Sequence, residues 1–175
     1  MNRQHKHRGA APAPAAGRSL LVLIGYLLLS ALVATIGAAA NLPHIDGWYA
    51  TADIAPWSPP NWVFGPAWTL LYTLMAISAW LVWRKRRGWR PLFGLYGVQL
   101  FLNAIWSPLF FALYPSWGTP ALWLAAVVIV LLAGILVLLI MQFFSISRWA
   151  AILLIPYLLW VVFASSLNIY AAAHN

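Results

Sequence analysis

The groups in this chain able to do chemistry are aromatic rings, amides and hydroxyls. The densest set lies in W-S-P-P-N-W-V-F-G-P-A-W-T-L-L-Y from Trp57 to Tyr72, where Phe64, Trp68 and Tyr72 recur every fourth residue. That spacing stacks three rings on one helical face, with Trp57 and Trp62 at or above its mouth. Such a stripe is either core packing or the wall of a pocket for a flat ligand. A second set, Gln99, Asn103, Trp106 and Phe110, follows steps of four, three and four, giving a face that is polar below and aromatic above. A third, Tyr157, Trp160, Ala164, Leu167 and Asn168, is large at one end and small toward the other. Interhelical amide bonds, each contributing about 0.6 to 2 kcal/mol, would explain the amides as helix glue. Periodicity alone leaves a roofed cavity and a packed core both open.

Other chemistries lack their residues. The chain has no cysteine, so disulfides, Cys-based metal sites and thiol nucleophiles are ruled out. His5, His7, His44 and His174 all lie in tails or loops, and His5-x-His7 reads as part of a solvated basic tail, so no metal site is expected. There is no Ser-His-Asp set, paired membrane carboxylate or phosphate-binding glycine loop. A hydrolase or kinase is not indicated, and no catalytic residue is assigned. The only acids, Asp46 and Asp53, read as solvated loop residues. No Asp, Glu, Lys, Arg or His falls within an apolar run, which counts against an ion pump or proton-coupled transporter.

The elements that must position these rings follow from composition. Of 175 residues, 64% are hydrophobic and 7% charged, with a mean hydropathy of +0.84; soluble domains carry about 25% charged residues. The chain therefore reads as an all-α integral membrane protein, a bundle of five transmembrane helices. Spans are expected at about 19–40, 62–83, 92–113, 120–144 and 149–171, near the roughly 20 residues needed to cross. Residues 1–18 form a basic arm without periodicity. The first span has a basic lead and an Ala38-Ala39-Ala40 stretch like a signal peptide, but it exceeds the roughly 7 to 15 apolar residues of such a core and is kept as a helix. Short connections predict that sequential helices are antiparallel neighbours.

The outer loop, 41–61, is long for a compact bundle and carries Pro43, Pro56, Pro59 and Pro60. Such loops are more often lids than linkers. Pro59-Pro60 lets a helix begin but not pass through. Pro108 is expected to kink the third span and free a backbone carbonyl. Ser30, Ala34 and Ala38 suit close packing of the first helix, and the aliphatic fourth helix is expected to face lipid or a second subunit. Nine tryptophans, Trp48, Trp57, Trp62, Trp80, Trp83, Trp89, Trp117, Trp123 and Trp149, sit near run ends as interfacial anchors. Trp68, Trp106 and Trp160 lie deeper, and their indole N–H groups need partners.

All ten Lys and Arg are Arg3, Lys6, Arg8 and Arg18 before the first span, Arg84, Lys85, Arg86, Arg87 and Arg90 between the second and third, and Arg148 between the fourth and fifth. The positive-inside rule then puts the N-terminus in the cytoplasm and the C-terminus outside, and favours a bacterial cytoplasmic membrane. These clusters also touch anionic lipid heads, so the net charge of +8 needs no nucleic-acid partner.

Trp48-Tyr49, the Trp57–Tyr72 stretch, G-L-Y-G-V-Q-L-F-L-N-A-I-W-S-P-L-F-F from Gly94 to Phe111, and P-Y-L-L-W-V-V-F-A-S-S-L-N from Pro156 to Asn168 resemble the tryptophan-rich sensory protein / translocator protein (TspO/MBR, peripheral-type benzodiazepine receptor) family. The resemblance covers the chain beyond its arm. It implies a five-helix bundle, often a homodimer, that needs no cofactor and binds protoporphyrin IX, haem-related tetrapyrroles, sterols or isoquinoline and benzodiazepine ligands under the first loop. The family's pocket positions fall on Trp57, Phe64, Trp68, Tyr72, Asn103, Trp106, Trp160, Ala164 and Leu167. For some members it also implies light-dependent porphyrin degradation, in which Trp57 and Trp160 would take part, or transport of porphyrin or lipid. Departures are Ile54-Ala55 where the family has Lys-Pro, no base after Leu167 and Tyr170 to complete a sterol pattern, and Gly94, Gly97 and Val98 in place of a regular small-residue motif.

Overall fold

The computed structural model describes residues 16–85 and 89–175; the arm 1–15 and linker residues 86–88 lie outside the described residues, as do the side chains of 86–91. Among the described residues, five helices are long and apolar enough to cross a membrane: Ala16–Ile45, Asn61–Lys85, Leu92–Ala112, Thr119–Phe144 and Arg148–His174. We label the helical segments α1 (Ala16–Ile45), α2 (Trp48–Thr51), α3 (Phe64–Lys85), α4 (Trp89–Ser107), α5 (Tyr114–Trp117), α6 (Thr119–Phe144) and α7 (Arg148–His174).

Helix α1 is longer than expected at both ends. It takes in residues 16–18 of the predicted arm and continues through Pro43, whose ring costs the bond to the preceding turn but whose φ suits a helix. The outer loop is correspondingly shorter, and α2 occupies part of it. Pro59-Pro60 does cap the next span: the Val63 N–H donates to Pro60 O at 2.9 Å in a 3₁₀ turn that leads into α3. At Pro108 the ladder widens into a π-turn over Pro108–Ala112, with Leu113 N–H reaching Pro108 O at 3.0 Å. Proline cannot donate to the carbonyl four residues earlier, so the turn opens there, and π-bulges of this kind often mark functional positions. Gly118, at φ 64°, makes the sharp turn into α6 that a side chain would strain.

The helices close into a ring in the order α1, α3, α7, α6, α4. Contrary to the expectation from short linkers, α3 and α4 barely touch. Helix α1 stands between them, joined to α3 by Trp80 Nε1–H donating to Ser19 O at 2.9 Å and to the end of α4 by Ser107 O–H donating to Gly37 O at 3.1 Å. The core is densest where α6 meets α7, with Leu122, Leu136, Leu139, Leu154 and Val161 all fully buried. Helix α6 does turn a face outward, exposing Val127, Leu131, Leu138 and Met141, while Ala121, Ala125 and Ala126 pack inward.

Three expected interfacial anchors pack internally instead, one being half-buried Trp80 with its N–H on Ser19 of α1. Trp83 is buried, and half-buried Trp48 stacks on Tyr114 at 3.9 Å and donates its N–H to Phe111 O at 2.9 Å. The irregular backbone after Pro108 offers Trp48 both an apolar surface and a carbonyl, which an interface would not. Tyr49 packs beside it on Phe110 and Phe111, and burial pushes its phenol above its usual pKa. Trp57, Trp62, Trp117, Trp123 and Trp149 are exposed as a belt requires.

Candidate ligand-binding site

The stripe spaced by fours on α3 faces a cavity of about 250 Å³ between α1, α3 and α4. Phe64, Trp68 and Tyr72 form one wall, Asn103 and Trp106 of α4 another, and Ala34, Gly37 and Ala38 of α1 the third. The rings are locked together. Trp68 lies 5.5 Å from Tyr72 and 6.5 Å from Trp106 between centroids, tilted by 31° and 37° respectively, and Trp106 stacks on Phe110 at 5.8 Å. Such spacing is within the favourable range for aromatic pairs.

Beneath the rings runs a chain of hydrogen bonds. Tyr72 O–H donates to Asn103 Oδ1 at 2.7 Å, Asn103 Nδ2–H donates to the Tyr157 hydroxyl, and Tyr157 O–H donates to Gln99 Oε1 at 3.3 Å. Gln99 Nε2–H ends the chain on Met75 Sδ at 3.1 Å. The amide face of α4 therefore looks inward, as the cost of an unsatisfied amide in hydrocarbon demands. Trp106 Nε1–H donates to Asn168 Oδ1 at 3.0 Å, and Asn168 in turn donates to Leu122 O at 2.9 Å, which holds the Trp106 ring in place against the cavity. Trp160 fails the expectation of a partner: its buried Nε1–H has none among the described residues.

Five of the nine sequence-predicted residues line this cavity, namely Phe64, Trp68, Tyr72, Asn103 and Trp106. Trp160 stands behind the wall, its ring edge-on to Phe64 at 5.8 Å and to Trp68 at 6.4 Å. Ala164 is buried in the core and Leu167 half-buried, both on α7 and outside the lining. Trp57 is 52% exposed; it donates its N–H to Ser166 Oγ at 3.2 Å and sets its ring edge on Tyr170 at 5.4 Å. The outer loop is divided between two helix ends. Asp53 N–H donates to Asn175 Oδ1 at 2.9 Å, Asn175 Nδ2–H returns a bond to Asp53 O at 3.0 Å, and Ala55 is buried, so this part of the loop is clamped to the outer end of α7, while Trp48 and Tyr49 pack on Phe110 and Phe111.

Sequence reasoning missed the α1 wall. The four-residue spacing of Ser30, Ala34 and Ala38 marked the correct face but pointed to helix packing; only Ser30 is buried, while Ala34 and Ala38 border the void. A second groove of about 410 Å³, lined by Ser30, Ala31 and Thr73, shares Ala34, Thr69 and Tyr72 with the cavity and extends it between α1 and α3.

Residues 26–173 match the sequence profile of the TspO/MBR family. The chain belongs to that family. Relatives of this TspO/MBR protein include the translocator protein of Bos taurus, 37% identical over 150 residues, covering 83% of this chain and 85% of the relative. The tryptophan-rich protein TspO of Archaeoglobus fulgidus is 34% identical over 152 residues, covering 86% and 94%, and the tryptophan-rich sensory protein of Cereibacter sphaeroides 32% over 153 residues, covering 86% and 92%. The matched region reaches into all five TspO/MBR spans and includes every cavity residue named above.

Proposed function

We propose that this protein is a membrane sensor or receptor that binds a flat hydrophobic ligand in the α1–α3–α4 cavity, with protoporphyrin IX and related tetrapyrroles as the ligand class. The observation that carries this reading is the convergence of Trp68, Trp106, Phe64 and Tyr72 from two helices on one void that also presents an amide. Ring faces stack a planar ligand, and the amide supplies orientation. Ligand sites commonly span about 300 to 1,000 Å³. A macrocycle would accordingly also fill the adjoining groove, displacing α1, which is the least buried span.

A route for reporting occupancy is built into the hydrogen bonds. A ligand competing for Asn103 releases Tyr72 on the cavity side and Tyr157 on α7, so occupancy is felt by the helix that carries the outer loop contacts. The orientation proposed is N-terminus cytoplasmic and C-terminus outside, supported by Arg18, Arg84, Lys85 and Arg148 at one end of the bundle and both acids at the other.

The test is tryptophan quenching by protoporphyrin IX in detergent or nanodiscs. Saturable quenching is expected, with Trp68→Ala weakening affinity about five- to ten-fold, the worth of one aromatic contact, and Trp57→Ala leaving it near wild type. Quenching that never saturates, or that Trp68→Ala leaves unchanged, refutes the reading.

A further inference from the structure

Away from the ligand cavity, the basic end of the bundle carries a groove of about 690 Å³ between α1 and α4, with buried Trp83 and half-buried Tyr26 beneath it and exposed Leu21 and Phe93 on its walls. Its α1 wall, Leu21, Gly25 and Leu29, advances in steps of four along one face, and Arg18 occupies the same face one turn earlier. The distance from Arg18 to Leu29 along the helix is about 16 Å at 1.5 Å per residue, close to half of a hydrocarbon core of about 30 Å. The α1 lining from Leu21 to Leu29 therefore covers about 12 Å, most of one leaflet, with a cation one turn beyond its end.

A second cation lies at the same end of the bundle. Arg84 follows Trp83 directly, and its guanidinium carbon lies 4.8 Å from the centre of the Trp80 ring. Trp80 Nε1–H donates to Ser19 O at 2.9 Å, beside Arg18, so a single indole ties the start of α1 to the end of α3. Arg18, Arg84 and Lys85 are all exposed. The only two acids of the chain, Asp46 and Asp53, lie in the loop at the opposite end, so no carboxylate side chain neutralises this rim.

We propose that this groove is a binding site for an anionic glycerophospholipid, one acyl chain lying along Leu21, Gly25 and Leu29 and the phosphate meeting Arg18 and Arg84. The apolar walls take any chain; the unneutralised rim selects net negative charge at the depth where a headgroup sits. A neutral sterol leaves the cations uncompensated. A second copy docked about a two-fold axis through this face would bring two arginine rims together.

The experiment is native mass spectrometry of the full chain in non-ionic detergent, with phosphatidylglycerol or phosphatidylcholine of identical chains added. Phosphatidylglycerol is expected to be held about 30-fold more tightly, the combined attraction of two basic side chains near a lipid surface. Arg18→Gln with Arg84→Gln should remove most of that preference, and Arg18→Lys with Arg84→Lys should keep most of it. Gly25→Leu, whose added Cβ meets nothing within 4 Å, should weaken both lipids without lowering the melting temperature. Equal retention of the two lipids by the wild type, or full phosphatidylglycerol retention by the double glutamine variant, overturns the proposal. So does conversion of a dimer to a monomer by Gly25→Leu, which would give the groove to a second copy.

Discussion

The two sides of the bundle are packed to different ends. Between α6 and α7, leucines, valines and alanines interdigitate with almost no exposed area: Leu122, Ala125, Leu136, Leu139, Ala150 and Leu154 are all fully buried. Across the ring, α1 buries only Ser19, Ser30 and Val33 of its 30 residues and borders the cavity and both grooves. In lipid, where apolar burial drives little association, contact density decides stability. The α6–α7 side holds the fold together, which leaves the α1 side free to hold a ligand.

The largest effect that tests this contrast is cavity creation. Leu136→Ala should cost about 2 to 5 kcal/mol, because a close-packed site cannot collapse around the missing atoms. Leu28→Ala, on the exposed face of α1, should stay within about 0.5 kcal/mol. Reversible unfolding in mixed micelles measures both, and equal losses would erase the distinction. Overfilling sharpens it further. Ala125→Leu should destabilise by about 1 to 3 kcal/mol through overpacking, whereas Ala34→Leu should cost little stability yet compete with ligand for the cavity. If Ala34→Leu unfolds the protein while binding by the surviving fraction is normal, α1 is structural after all. The smallest effect expected is none. No residue lining the cavity titrates between pH 5 and 8, so the affinity for an uncharged isoquinoline ligand should be constant across that range. A measured inflection would place an ionisable group against the ligand and require a rearranged site.

Much of the candidate site was legible because helical spacing carries it. Phe64, Trp68 and Tyr72 share a face in any α-helix, and so do Gln99, Asn103 and Trp106, whose amides could not point to lipid. Trp57 was not legible in this way. It belongs to non-helical backbone, and its position depends on a clamp between Asp53 and Asn175, residues 122 apart in sequence. Trp160 shows a subtler failure, since its helical face was correct but Trp68 of another helix stands between it and the void.

The amino-acid sequence by itself determined the membrane class, the five spans, the stop at the paired prolines, the opening at Pro108, and which rings and amides share a helical face, because these follow from local composition and a period of 3.6. Only the tertiary structure decided that α1 stands between α3 and α4, that Asp53 and Trp57 of the outer loop dock on α7, and that the small residues of α1 meet a void. Each of those depends on contacts between residues far apart in the chain, where the same apolar face can meet a helix, a ligand or lipid at nearly equal free energy.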